Sequence, residues 1–197
     1  MLNQNLVYVG VTLSAIGALS YLINVIRGKI KPNKVSYFLW SLAPIIAFAA
    51  EIKQGVGLQS LMTLSVGIFP LAIFFASYLN RKAYWKLNRF DLTCGALSLI
   101  GLVLWQVTKV GNIAIFFSII SDGLAYVPTI AKAYKFPETE SAWPWLADSI
   151  NGLLTLLTIT TWNFANFGFP LFFLIISLLV YIPVQFKLGK SLNKITS

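Results

Sequence analysis

The chain has 197 residues, 57% of them hydrophobic and 11% charged, with a mean hydropathy of +0.77 and a net charge of +9. This composition excludes a soluble single-core domain. With no histidine and one cysteine, Cys94, it also excludes disulfide frameworks, thiolate or imidazole metal sites and histidine-based catalysis.

The chain reads as an all-α integral membrane protein with seven spans, at 6–27, 35–53, 58–80, 89–109, 111–135, 141–161 and 164–186. Each is near the length of about 20 residues that crosses a hydrocarbon core. No cleavable signal is expected, because Met1 to Asn5 carries no basic residue ahead of a full-length apolar run. Arg27, Lys29, Lys31, Lys34, Arg81, Lys82, Lys86, Arg89, Lys132, Lys135, Lys187, Lys190 and Lys194 fall on one side, and Lys53 and Lys109 on the other. The positive-inside rule then places the N-terminus outside and the C-terminus in the cytoplasm, in a cell inner or plasma membrane. Positive charge so distributed serves orientation, and nucleic acid is not expected as a partner.

An ungapped offset of 105 residues aligns Leu19 with Leu124, Tyr21 with Tyr126, Pro32 with Pro137, Ser36 with Ser141 and Trp40 with Trp145. Retained Pro, Ser and Trp at one offset indicate duplication. The offset spans four helices, so helices 1–3 and 5–7 correspond, run in the same direction and leave helix 4 as a linker. The expected division is a first three-helix bundle at 1–80, a linker helix at 81–110, a second bundle at 111–190 and a cytoplasmic tail at 191–197.

The chemistry concentrates in helices 5 and 6. Ser118, Asp122, Tyr126 and Thr129 recur at helical spacing and form one polar stripe, with Asp122 near the middle of its span. Trp145, Asp148, Asn151 and Thr155 form a second stripe, with Gly152 beside Asn151, and Asp148 lies about 10 Å into helix 6. A carboxylate at such depth is costly unless it meets water, a partner or a ligand, which marks both acids as candidate functional groups. The structural alternative is an interhelical hydrogen bond that locks two helices together. In the first half Asp122 maps to Gly17, Asp148 to Ala43 and Asn151 to Ile46, whereas Tyr126 and Thr129 map to Tyr21 and Asn24. The expected solute site is therefore asymmetric: Asp122, Tyr126, Trp145, Asp148 and Asn151 from one half, and Tyr21, Asn24 and Trp40 from the other. Asp122 is the expected proton carrier, since no Lys or Arg lies within two turns of it. Trp40 and Trp145 could stack on a solute or anchor at the interface, and Trp143 reads as an anchor. Glu51 and Lys53 read as solvated, and Trp162, Asn163 and Asn166 as an outer turn.

Two parallel three-helix bundles joined by one helix, with a turn reading Glu138-Thr139-Glu140-Ser141-Ala142-Trp143, resemble the SWEET and PQ-loop transporter superfamily, as a divergent, bacterial-type member. The Pro-Gln pair of the PQ-loop group is absent: Pro128 is followed by Thr129. The resemblance implies alternating-access transport of a small polar solute such as a sugar or amino acid, as a facilitator or coupled to protons. It implies helix hinges at Pro44, Pro128 and Pro144; Pro70 and Pro183 are further hinge candidates. The nicotinamide-riboside transporters are similar in architecture and offer an alternative substrate class. Two embedded acids suit a cationic or proton-coupled solute better than a neutral sugar. No enzyme activity, cofactor or metal is expected. An aspartyl protease of this type resembles its relatives through Gly-x-Gly-Asp, whereas Asp122 follows Ile-Ile-Ser, and a receptor for peptide carboxylates would need a basic pocket. The bilayer and the solute are the expected partners, with a homo-oligomer left open.

Overall fold

The computed structural model describes residues 3–79, 86–108 and 111–189. Met1, Asn80, Arg81, Lys82, Lys109, Lys190, Lys194 and the tail at 191–197 lie outside the described residues. Among the described residues the fold is all-helical, with seven α-helices and a short 3-10 turn: α1 Leu6–Ile26, α2 Lys34–Lys53, α3 Ser60–Ala76, α4 Arg89–Thr108, α5 Gly111–Lys135, the 3-10 turn Pro137–Thr139, α6 Ala142–Thr158 and α7 Phe164–Phe186.

Four of these, α1, α2, α5 and α7, are long and apolar enough to cross a membrane. Two of the others are shorter than the apolar runs that contain them. α3 and α6 each have 17 helical residues, about 25 Å at 1.5 Å per residue, the lower limit for a span. α6 stops where Ile159 turns to extended backbone, and α3 passes at Ser77 into turns.

Local chemistry sets several boundaries. Asn33 caps α2, its side-chain oxygen accepting from the backbone N–H groups of Val35 and Ser36, and Asn163 caps α7 through the N–H of Asn166. α4 begins with a reciprocal cap. Asp91 accepts from the N–H of Asn88 at 2.9 Å, and Asn88 accepts from the N–H of Asp91 at 3.0 Å. The other oxygen of Asp91 accepts from Asn33 Nδ2 at 3.0 Å, so the cap of α4 is tied to the cap of α2.

The helices pack in a pattern that the repeat exchanges. α3 lies against α1 and α2, and α7 lies against α5 and α6; across the two halves, α1 runs along α6 and α2 along α5. α4 rests mainly on α5, with a smaller contact to α2, and leaves Leu92, Val103 and Val107 exposed. The interior is mixed: Val7, Leu39, Met62 and Phe169 are buried together with Ser14, Ser118, Asp122, Asn151, Thr155 and Thr158, while Leu19, Ile23, Phe75, Ile175 and Leu179 face outward. An apolar exterior is what a hydrocarbon surrounding rewards.

Candidate functional site

Tyr21, Trp40, Asp122, Tyr126, Trp145 and Asp148 line one enclosed cavity between the two halves. These are six of the eight residues expected from the sequence. The polar stripe of α5 is buried throughout, from Ser118 to Thr129. Asn151 sits just beyond the cavity, fully buried, and Asn24 lies one turn past Tyr21, half-buried and away from the lining.

Each half sends its tyrosine against the other half's tryptophan. Trp40 and Tyr126 have ring centroids 4.2 Å apart, and Tyr21 and Trp145 meet edge-on at 6.5 Å. Tyr37 joins them, 5.5 Å from Tyr21 and 4.9 Å from Trp40, and Trp40 contacts Trp145 at 5.8 Å. Five rings thus form one continuous wall. Trp143, outside it, is 43% exposed, which fits its reading as an anchor.

The asymmetry expected from the repeat has a steric basis. A Cβ on Gly17 would lie 3.1 Å from Pro144 Cα and 3.2 Å from Ala147 Cβ, so α1 and α6 approach closely at that level. In α5 the same repeat position holds Asp122, whose carboxylate reaches the cavity instead. Asp122 is 1% exposed and its Oδ1 has no hydrogen-bond partner among the described residues. The indole N–H groups of Trp40 and Trp145 are likewise buried without acceptors. Asp148, partly buried, accepts from Ser14 Oγ at 2.7 Å, and Ser14 Oγ accepts from Asn151 Nδ2 at 3.0 Å. This chain fastens α1 to α6 beside the cavity.

A buried ion pair adjoins the cavity residue Tyr21. Glu140 Oε1 accepts from Lys132 Nζ at 2.6 Å, and its Oε2 accepts from Tyr21 Oη at 3.0 Å. Lys132 also donates to the carbonyl of Lys31, so the connection between α5 and α6 is tied both to α1 and to the loop after it. Lys132, counted from sequence among the basic residues that set orientation, is 3% exposed, because its ammonium finds a carboxylate and a carbonyl within reach.

A correction concerns Glu51, expected in solvent and found 1% exposed. Its Oε1 accepts from Thr63 Oγ1 at 3.0 Å across α2 and α3, while Oε2 has no partner among the described residues. The turn after α2, with Gly55 at φ +77°, carries the chain back over this end. Pro44 and Pro128 are interior to α2 and α5, as are Pro70 in α3 and Pro183 in α7. Pro144 lies in the first turn of α6, where the missing N–H would have no helical acceptor, so it removes no helix hydrogen bond. Pro170, inside α7, was not singled out from sequence.

Ser14, Tyr37, Lys132 and Glu140 also escaped the sequence reading as site residues. Tyr37 precedes Trp40 by three residues on the same face of α2, and Ser14 lies in a Gly10-Ser14-Gly17 stripe of small residues. Both spacings were visible. Nothing local marked Lys132 and Glu140, eight residues apart across a turn, as partners. The cavity volume is about 40 Å³, room for a few waters and not for a metabolite. No protein-family model, curated protein or solved structure matches this chain.

Proposed function

We propose that the protein is a membrane transporter that moves a small polar solute through the central cavity by alternating access. On this reading the seven helices all span the bilayer as two parallel three-helix bundles and a linker, as the resemblance to SWEET and PQ-loop transporters implies, with the N-terminus outside by the positive-inside rule. The observation that carries the proposal is the convergence of repeat-related pairs, Tyr21 with Tyr126 and Trp40 with Trp145, on one enclosed polar space that also holds two carboxylates. Residues from both halves line it, so a shift of one half against the other changes the space itself. The exchange of helix contacts between halves supports the same reading.

Closure has named parts on each side. Tyr21, Glu140 and Lys132 tie the halves at the cytoplasmic end of the proposed orientation. Closer to the other end, Ser14, Asp148 and Asn151 fasten α1 to α6. Opening either end requires breaking its set while the other holds, which is the two-state element that a solute can bias.

Asp122 is the proposed proton carrier: it is buried, one oxygen is unpartnered, and no basic side chain lines the cavity. The test is solute counterflow in liposomes reconstituted with the purified protein, using labelled sugars, amino acids and amines. Accumulation of at least one solute, lost in Trp40→Leu and Trp145→Leu variants that remain folded, is expected. Equal flux of every solute into protein-free liposomes would remove the transport reading.

A further inference from the structure

We infer that the solute is a small organic cation, an ammonium or quaternary ammonium compound without an acid group; this rests on the cavity being the solute site. The inference comes from what the lining offers and what it lacks. Its charged groups are Asp122 and Asp148, and among the described residues no Lys or Arg lines it. No Asn, Gln, Ser or Thr lines it either. The remaining polar atoms are the hydroxyls of three tyrosines and two indole N–H groups, and the hydroxyl of Tyr21 is already given to Glu140.

A sugar presents a ring of hydroxyls that each need a donor or acceptor when taken out of water. This lining has too few neutral groups to supply them. A zwitterionic amino acid would bring a carboxylate into a space that already holds two and contains no basic side chain to pair with it. A cation has neither difficulty. It supplies the counter-charge for Asp122, whose Oδ1 is 1% exposed with its residue and has no partner. Its alkyl substituents meet aromatic faces, whose negative potential attracts positive charge even when the cation has no N–H to donate.

The five rings provide such faces at close range to one another. Trp40 is central, with Tyr37, Tyr126 and Trp145 at 4.9, 4.2 and 5.8 Å. Lys132, a buried cation close in sequence to this wall, is turned to Glu140 and the Lys31 carbonyl and does not line the cavity.

The test compares charge at constant shape. Protein in nanodiscs is titrated with choline, tetramethylammonium and ethylammonium, with 3,3-dimethylbutan-1-ol as the neutral isostere of choline, and with glucose and alanine, reading tryptophan fluorescence and thermal shift. At least one cation is expected to bind about 10-fold or more tightly than the isostere. Asp122→Asn and Trp40→Leu are each expected to weaken that binding by a similar factor. Trp40→Phe keeps an aromatic face and a near-native volume, and should retain most of it. If a buried substitution prevents folding, the comparison of choline with its isostere on the unaltered protein decides alone. Equal binding of the isostere, preference for glucose or alanine, or no cation bound, each overturns the inference. Glucose or alanine counterflow without cation binding overturns the cation class and leaves transport standing. Cation binding without flux of any solute supports the cation class and removes transport.

Discussion

Lys132 and Glu140 form an ion pair at 2.6 Å in which each side chain is 1% exposed. The pair belongs to the connection between α5 and α6, yet it is completed from α1 by Tyr21 Oη and from the following loop by the Lys31 carbonyl. Removing one partner leaves a desolvated charge, which is expected to cost about 3–5 kcal/mol, whereas replacing both with apolar groups of similar volume is close to neutral. Lys132→Met and Glu140→Leu should each lower the unfolding temperature strongly, and the double variant should recover most of the loss. Losses that simply add in the double variant would show that the two charges do not interact in the folded protein.

The same network has a functional consequence on the proposed mechanism. In a Cys94→Ala background, Ala18→Cys places a thiol on the cavity lining. Adding the Lys132→Met and Glu140→Leu pair should raise its labelling rate by a maleimide applied from the cytoplasmic side. Unchanged labelling would mean that another contact closes that end.

Asp122→Asn separates proton coupling from solute movement. In liposomes with an imposed pH gradient, gradient-driven accumulation should disappear, while solute exchange survives at solute concentrations raised about 10-fold to offset the weaker binding, because the amide keeps the shape and cannot release a proton. With the native aspartate, accumulation should rise with the gradient. Accumulation that persists in the variant would leave a plain facilitator.

At Gly152 α6 packs directly against the backbone of α7. A Cβ there would lie 2.9 Å from the Pro170 carbonyl oxygen and 3.0 Å from the Leu174 nitrogen, and backbone cannot swing aside as a side chain can. Gly152→Ala should destabilise the protein by about 1–3 kcal/mol. Gly123→Ala, whose nearest neighbour is a Phe172 ring carbon at 3.5 Å, should be tolerated. Thermal unfolding of the two variants in one detergent makes the comparison, and an equal response would contradict it.

Orientation is tested by impermeant thiol labelling of Asn3→Cys and Lys187→Cys, both exposed positions, in a Cys94→Ala background. The first should label from outside intact cells and the second only after lysis. The reverse pattern would overturn the orientation drawn from the basic residues.

The sequence alone determined the helical class, the approximate helix positions and the polar stripes of α5 and α6. These depend on apolar run length and on a period of 3.6 residues, both local properties. It also indicated the duplication, and with it the pairing of Tyr21 with Tyr126 and of Trp40 with Trp145. Periodicity assigns a residue to a face of its own helix but carries no information on which neighbour that face meets. The tertiary structure decided that Trp40 sits on Tyr126 and Tyr21 beside Trp145, and that Asn24 stays outside the cavity. It also decided the fate of charges near helix ends. Glu51 stands beside a turn and reads as solvated, but it is buried, with one oxygen bonded to Thr63 of α3, and Lys132, read only as an orientation-setting charge, is buried against Glu140. The Lys132 ammonium is buried where a carboxylate and the Lys31 carbonyl replace its water, and the carbonyl comes from a distant segment.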